Sequence, residues 1–270
     1  MSTPRVFIVR HGETEWSLTG QHTGLTDIPL TKAGEKRVVA TGRALVGNDR
    51  LVVPKRLTHI FVSPRKRAQR TFELLNLGFK DLPWKAHGGV AEAGAPSSSS
   101  EKGVCNARVE ITEDIREWDY GDYEGITSAE IRKLRKEQGL SEQWDIWKDG
   151  CPGGESPDEV TQRLDRLITE IRSKYQEPHM NSSSSSAASS GGSLCGTGDV
   201  LVVGHGHILR AFAMRWVGKA LQEGPTFLME AGGVGTLSYE HHSIHEPAIL
   251  LGGAFVVENP EETIAEARKD

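Results

Sequence analysis

Three short apolar runs constrain this chain more than any other feature. "RVFIV" (5–9), "THIFVS" (58–63) and "VLVVG" (200–204) are almost unbroken stretches of β-branched and aromatic residues. A strand wetted on one face alternates apolar and polar side chains. A run without that alternation is buried on both faces, which in a soluble chain means a mainly parallel sheet covered by helices. "VEITED" (109–114) and "VGTLSYEHH" (234–242) complete a set of five strands. Between them, residues 31–46, 65–76, 128–138, 156–175 and 207–219 place apolar side chains three and four apart, the period of a helix with one buried face. The clearest has Ser156 as its cap, Pro157 in the first helical position, and Val160, Leu164, Leu167, Ile168 and Ile171 on one stripe. This alternation predicts an α/β fold, a three-layer αβα sandwich around a mainly parallel sheet.

A chain of 270 residues suits one generous α/β domain spanning 1–270. Two tracts of Ser, Gly and Ala interrupt it, and they are expected to be flexible insertions at 86–106 and 179–198. The chemical motifs fall on both sides of each tract, so neither divides the fold. With a net charge of -5 and a pI near 6.1, neither nucleic acid nor an anionic membrane is an expected partner. No apolar run has bilayer length and nothing at the start resembles a signal peptide, so the expected compartment is the cytoplasm, with the nucleus also open to it. Cys105, Cys151 and Cys195 show no CxxC spacing, which argues against a disulfide framework or a zinc site. Nothing in the sequence sets the oligomeric state.

Three of the strands end in basic residues: "VRHGET", "VSPRKRAQRT" and "VGHGHILR". In an open α/β sheet, ligands bind beyond the carboxyl ends of the strands. Each end alone reads as a solvated turn or a charged helix face. Together, after three buried strands, they describe one site for an anion.

The ordered set "RHGETEW…TGLTDIPLTKAGE", "SPRKRAQRT", "REWDYGDYEG" and "GHGH" resembles the histidine phosphatase superfamily, the fold of phosphoglycerate mutases and their phosphatase relatives. Within it, "EWSLTGQHTGLTD", "IWKDGCPGGES" and "AGGVGTLSYEHHSIHEPA" look like the fungal sedoheptulose-1,7-bisphosphatase branch. The likeness covers nearly everything except the Ser-rich tracts and the last dozen residues. It implies a phosphatase without metal or cofactor that acts on a small sugar phosphate or bisphosphate through a phosphohistidine. On this pattern His11 is the nucleophile, and Arg10 and Arg67 offer guanidinium forks to the phosphoryl oxygens. His205, if protonated, adds a charged donor. Among Glu117, Asp119, Asp122 and Glu124, the family pattern puts acid–base work on Glu117, leaving Asp122 and Glu124 to cap and solvate the next turn. Thr23 and Gly24 match a loop whose hydroxyl and backbone N–H face the phosphoryl group, and Ser17 could do likewise. Tyr120 is a candidate for the sugar and Arg210 for a second phosphate. Strand alternation sends only one of His241 and His242 to the site, and His242 is the choice.

Two departures stand out. The segment between "AMRWVGK" and "EAGGVGTLSYEHH" is only about "ALQEGPTFLM", shorter than in the fungal branch, and Gln69 precedes Arg70 where the family has Gln second. Arg70 is expected to face solvent. Two other functions fit the same motifs. A mutase would return the phosphoryl group to its substrate, but mutases carry a long basic insert after the glutamate, whereas "YGDYEGITSAEIRKLRKEQGL" passes quickly into a helix. A non-catalytic phosphate-binding protein would not be expected to keep His11, both arginines, Glu117 and His205 together.

Overall fold

In the computed structural model, which describes residues 3–79, 81–88, 105, 107–181 and 196–252, the first apolar run lies near the middle of a six-stranded sheet. The strands are β1 (Val6–Arg10), β2 (Leu57–Val62), β3 (Arg108–Ile111), β4 (Asp199–Gly204), β5 (Val234–Tyr239) and β6 (Pro247–Leu250), in the spatial order β3-β2-β4-β1-β5-β6. β4 pairs in parallel with β1 and β2, and β2 with β3, whereas β5 runs antiparallel to both its neighbours. The register sets Arg10 beside Gly204 and Val62 beside Val203, so the three basic strand ends emerge together at one edge of the sheet.

The helices are α1 (Glu15–Thr19), α2 (Lys32–Leu45), α3 (Lys66–Leu75), α4 (Ser128–Glu137), α5 (Ile146–Asp149), α6 (Pro157–Glu170), α7 (Glu177–Asn181) and α8 (Gly206–Trp216). Each central strand feeds two cores. Val6, Ile8, Val200 and Val202 pack with Leu164 and Leu167 of α6 and Phe212 of α8, while Phe7, Val9, Leu201 and Val203 pack with Val38 of α2 and Phe72 of α3. Full burial of each such side chain contributes about 1.5–3 kcal/mol, which is why these unbroken runs dictate a covered sheet. The expected three-layer sandwich is present.

Some boundaries differ. β5 stops at Tyr239 and turns through His241 and His242, both with positive φ (48° and 54°), before returning as the unforeseen β6. The short α1 and α5 are not foreseen either, because a helix of one turn has no period to read. The helix expected at 156–175 continues through one π-helical stretch, Ile171–Gln176, into α7. Most of the two tracts expected as flexible insertions at 86–106 and 179–198 lies outside the described residues. Arg70 does not face solvent: it is 8% exposed and ion-paired to Glu35 of α2 (2.6 Å) and Glu73 (3.0 Å), because its side of α3 packs on α2. Among the described residues no helix is long and apolar enough to cross a membrane.

Candidate active site

The end of β1 is held from three sides. His11 N–H donates to the Gly204 carbonyl of β4 (3.0 Å), Gly232 N–H donates back to the Arg10 and His11 carbonyls, and Gly12 N–H donates to Thr71 Oγ1 of α3 (3.0 Å). A Cβ on Gly12 would lie 2.8 Å from Val38 Cγ2 and 3.1 Å from the Gly34 carbonyl, so only glycine lets the turn sit this close to α2. The Gly12 carbonyl lies 2.7 Å from His11 Nδ1. A carbonyl only accepts, so the proton is on Nδ1 and Nε2 keeps its lone pair. Burial, then the charges of Arg67 and Arg10, hold the His11 pKa well below the usual value, so the ring is neutral near pH 7. A buried neutral imidazole with a fixed tautomer is equipped as a nucleophile.

His11 opens into a cavity of about 220 Å³ lined also by Arg10, Glu117, Tyr120, His207 and Arg210. Arg10 donates through Nη1 to the Met229 carbonyl (2.7 Å), but its Nε is buried without a hydrogen-bond partner among the described residues. Leaving such a donor unpaired costs about 1–3 kcal/mol, which an anion in the cavity would relieve. Gly206 packs on this guanidinium, where a Cβ would stand 3.3 Å from Cζ.

Glu117 is 5% exposed and anchored to the start of α8. Oε1 accepts the N–H groups of Trp118 (3.0 Å) and Ile208 (2.9 Å), and Oε2 accepts that of His207 (3.1 Å). The loop carrying it is clamped from behind. Arg163, 3% exposed, donates through Nη1 to the Asp114 and Arg116 carbonyls (2.9 Å each) and through Nη2 to that of Glu117 (3.4 Å). It also grips both oxygens of Glu155 (2.8 and 2.9 Å), which in turn accepts Asp119 N–H (2.9 Å). Sequence reasoning does not single out either clamp residue for this role; Glu155 registers there only as part of the family-like motif "GCPGGES".

Several expected contacts are placed differently. Arg67 is fully buried, and its fork is directed at protein: Nε to His205 Nδ1 (3.1 Å), Nη1 to Thr26 O (2.8 Å), Nη2 to Thr23 O (2.8 Å) and Gly24 O (3.2 Å). It therefore ties a strap, residues 23–26, over α3, and the arginines in the cavity wall are Arg10 and Arg210, not Arg67. His205 is not a charged donor. Burial, then Arg67 and His11, push its pKa well down; Nδ1 accepts from Arg67, which leaves the proton on Nε2 for Ser63 Oγ (2.7 Å). Its ring stands edge-on to His11, with centroids 5.0 Å apart. Gly24 N–H does not face the cavity but donates to both oxygens of Glu124 (3.0 and 2.9 Å), which also accepts Thr26 N–H (2.9 Å). Glu124 thus closes the strap rather than capping the following turn, and a Cβ on Gly24 would fall 2.4 Å from the Trp118 carbonyl. Thr23 does line the cavity, its hydroxyl donating to the Gln21 carbonyl (3.3 Å). Ser17 lines it too, but its hydroxyl closes the capping box of α1 by accepting Thr14 N–H (2.8 Å) and donating to Thr14 O (2.7 Å). Tyr120 meets His207 Nδ1 (2.8 Å), and Arg210 donates to the Phe227 carbonyl (3.1 Å) over the Trp147 ring.

His242 is elsewhere. Because β5 is antiparallel to β1, Val234 lies beside Val9 at the site while the far end, Leu237 beside Val6, leads to the opposite edge of the sheet. His242 there meets Thr3 Oγ1 (3.2 Å), and His241 meets Glu246 (2.6 Å). Among the cavity residues to which sequence reasoning assigns no role are His207 and His22, the latter with Nδ1 2.8 Å from the Ile126 carbonyl. The signal for His22 is an imidazole directly beside the candidate Thr23.

A buried neutral imidazole, an arginine with an unmatched donor and an anchored carboxylate surround one cavity on a sandwich fold, an arrangement suited to a phosphoryl group. Residues 6–97 and 99–247 match the histidine phosphatase superfamily (branch 1), and the chain belongs to that family; it is a phosphoric monoester hydrolase. Among its relatives is the sedoheptulose 1,7-bisphosphatase of Saccharomyces cerevisiae, 38% identical across 97% of each chain. An acid phosphatase of Mycobacterium tuberculosis is 31% identical across 91% of each. A solved open-reading-frame product of Mycobacterium tuberculosis superposes with a TM-score of 0.63 at 26% identity, covering 94% of this chain and 99% of that one.

Proposed function

We propose that the protein hydrolyses a sugar phosphate or bisphosphate, with sedoheptulose 1,7-bisphosphate as the first candidate, through a phosphohistidine on His11 and without a metal ion. The observation that carries this reading is the His11 Nδ1 to Gly12 carbonyl hydrogen bond, which leaves the Nε2 lone pair of this cavity-lining residue free to act as the nucleophile. In the first step the Nε2–P bond forms as the P–O bond to the sugar breaks, and Glu117 delivers a proton to the leaving oxygen. In the second, water attacks phosphorus, the N–P bond breaks, and Glu117 takes the proton from water. Arg10 holds the phosphoryl oxygens through the Nε donor that protein leaves unmatched. Burial, then the charges of Arg67 and Arg10, keep His11 neutral, and the His205 ring packs edge-on against it. Arg210, on the same cavity wall, takes the second phosphate of a bisphosphate. Thr23 and Ser17 border the substrate at the strap side.

Hydrolysis rather than return of the phosphoryl group is supported by α4, which starts at Ser128, four residues after Glu124, and leaves no room for a long insert there. The yeast relative's name supports the sugar. The test is acid- and base-quenched turnover of ³²P-labelled sugar bisphosphate in EDTA. Base-stable, acid-labile label on wild-type protein and none on His11→Ala, with phosphate released by wild type alone, is expected. Turnover retained by His11→Ala would sink the mechanism, and loss of activity in EDTA would sink metal independence.

A further inference from the structure

Tyr120 is a sequence candidate for the sugar, yet its hydroxyl is turned to His207 Nδ1, its only hydrogen-bond partner among the described residues. The phenol is 2% exposed, and burial followed by the Glu117 carboxylate holds it protonated well above its usual range. With no other acceptor for its proton among the described residues, the phenol donates to Nδ1, which leaves the His207 proton on Nε2. His207 is a neutral ring, pushed down to about 3 first by burial and then by His22 and the two arginines Arg210 and Arg10. His22 has the complementary arrangement. Its Nδ1 donates to the Ile126 carbonyl, so in the neutral ring Nε2 carries the lone pair. The two rings lie nearly parallel, 17° apart with centroids 6.0 Å apart, and both line the cavity that contains His11.

We propose that His22 and His207 form a hydroxyl-binding subsite, His207 Nε2 donating and His22 Nε2 accepting, that selects polyhydroxylated leaving groups, with Tyr120 as the residue that sets the His207 tautomer. A sugar hydroxyl donates and accepts, so a donor and an acceptor side by side match hydroxyls on neighbouring carbons. An alkyl or aryl leaving group would leave both nitrogens unpaired, the arrangement that discriminates most strongly against an analogue lacking the group. The subsite rests on the reading of His11 as phosphoryl acceptor and deepens it. Tyr120 acts only through His207 and is a positioning residue.

The test compares kcat/KM for fructose 1,6-bisphosphate and for p-nitrophenyl phosphate, which has no hydroxyls. The ratio of the two falls at least about tenfold in His22→Phe and in His207→Phe. In Tyr120→Phe it falls by less, and the cause is visible: ¹⁵N NMR shows His207 protonated on Nε2 in wild type and a mixture of tautomers in the variant. An unchanged ratio, equal loss on both substrates, or a His207 proton on Nδ1 in wild type overturns the proposal. The wild-type spectrum decides even if a variant fails to fold. Failure of the phosphohistidine mechanism would instead appear as turnover by His11→Ala, whatever the ratio.

Discussion

Arg163→Met is the substitution that most directly tests how the fold holds Glu117, the carboxylate proposed for acid–base work. Arg163 is 3% exposed and supports three carbonyls of the 114–117 loop besides gripping Glu155. Removing one partner of a buried ion pair costs about 3–5 kcal/mol, against a total stability of roughly 5–15 kcal/mol. The lower figure applies because Glu155 keeps Arg116 (2.8 Å) as a second cation. At about 2–4 °C per kcal/mol for a chain of this size, the melting temperature should fall by roughly 6–12 °C. Glu117, displaced with its loop, should lose most of its contribution to kcat. The informative comparison is with the double variant Arg163→Met/Glu155→Leu. If the pair mattered only as two charges, an apolar replacement would be close to neutral, and the double variant would recover to within about 1 kcal/mol of wild type. If Arg163 is a clamp on the backbone, the carbonyls of Asp114, Arg116 and Glu117 and the Asp119 N–H still lack partners. At about 1 kcal/mol for each group, roughly 4 kcal/mol of destabilisation persists and kcat does not return. Urea unfolding and phosphate release measure both quantities. A double variant with wild-type stability and turnover would refute the clamp.

Two further outcomes follow from the same geometry. His11, His205 and His207 all have folded pKa values below the unfolded value of about 6.5. Below that pH the unfolded chain takes up protons that the fold refuses, so stability is full above 6.5 and is lost as pH falls, by up to about 1.4 kcal/mol per pH unit for each ring. Melting temperatures from pH 8 to 4.5 should show this, with a shallower slope in His207→Phe; an identical slope would remove His207 from the account. Gly34→Ala should destabilise although alanine favours helices by about 1 kcal/mol. Its Cβ would meet Glu13 O at 2.5 Å and Glu13 N at 2.8 Å, so α2 or the His11 turn must shift, and overpacking of this kind costs about 1–3 kcal/mol. A melting temperature equal to or above wild type would show that α2 does not press on that turn.

The residues that sequence reasoning locates correctly are those whose neighbours are fixed by chain direction. Val6 to Arg10 is buried on both sides, so its end must be a strand end, and parallel pairing with β4 brings His11 level with His205. The same logic fails at His242 because only β5 in this sheet is reversed, and alternation along a strand says which face a side chain takes but not which end of the sheet it reaches. Partner choice is the other blind spot. Arg10 and Arg67 are the same residue type after two basic strand ends on either side of β4, and both read as phosphate clamps. What separates them is the strap 23–26, more than 40 residues before Arg67, whose carbonyls occupy its fork while Arg10 Nε meets no protein acceptor among the described residues. Glu124 illustrates the point from the other side: next to Gly125 it reads as a turn residue, and only the fold shows that it closes the strap.

That division of labour explains why two arginines beside one histidine serve the chemistry better than either would alone. An arginine matched by protein carbonyls lowers the proton affinity of His11 without competing for the phosphoryl group, and it stays fixed when substrate arrives. An arginine with a buried unmatched donor supplies the attraction for the anion. His205, neutral and held between Arg67 and Ser63, transmits the order of the first arginine to the edge of the His11 ring. A protonated His205 could not do this, because its Nδ1 would then be a donor facing the Arg67 Nε–H. The buried site therefore holds His205 neutral, and on the proposed mechanism the charge that meets the transferring phosphoryl group is that of Arg10.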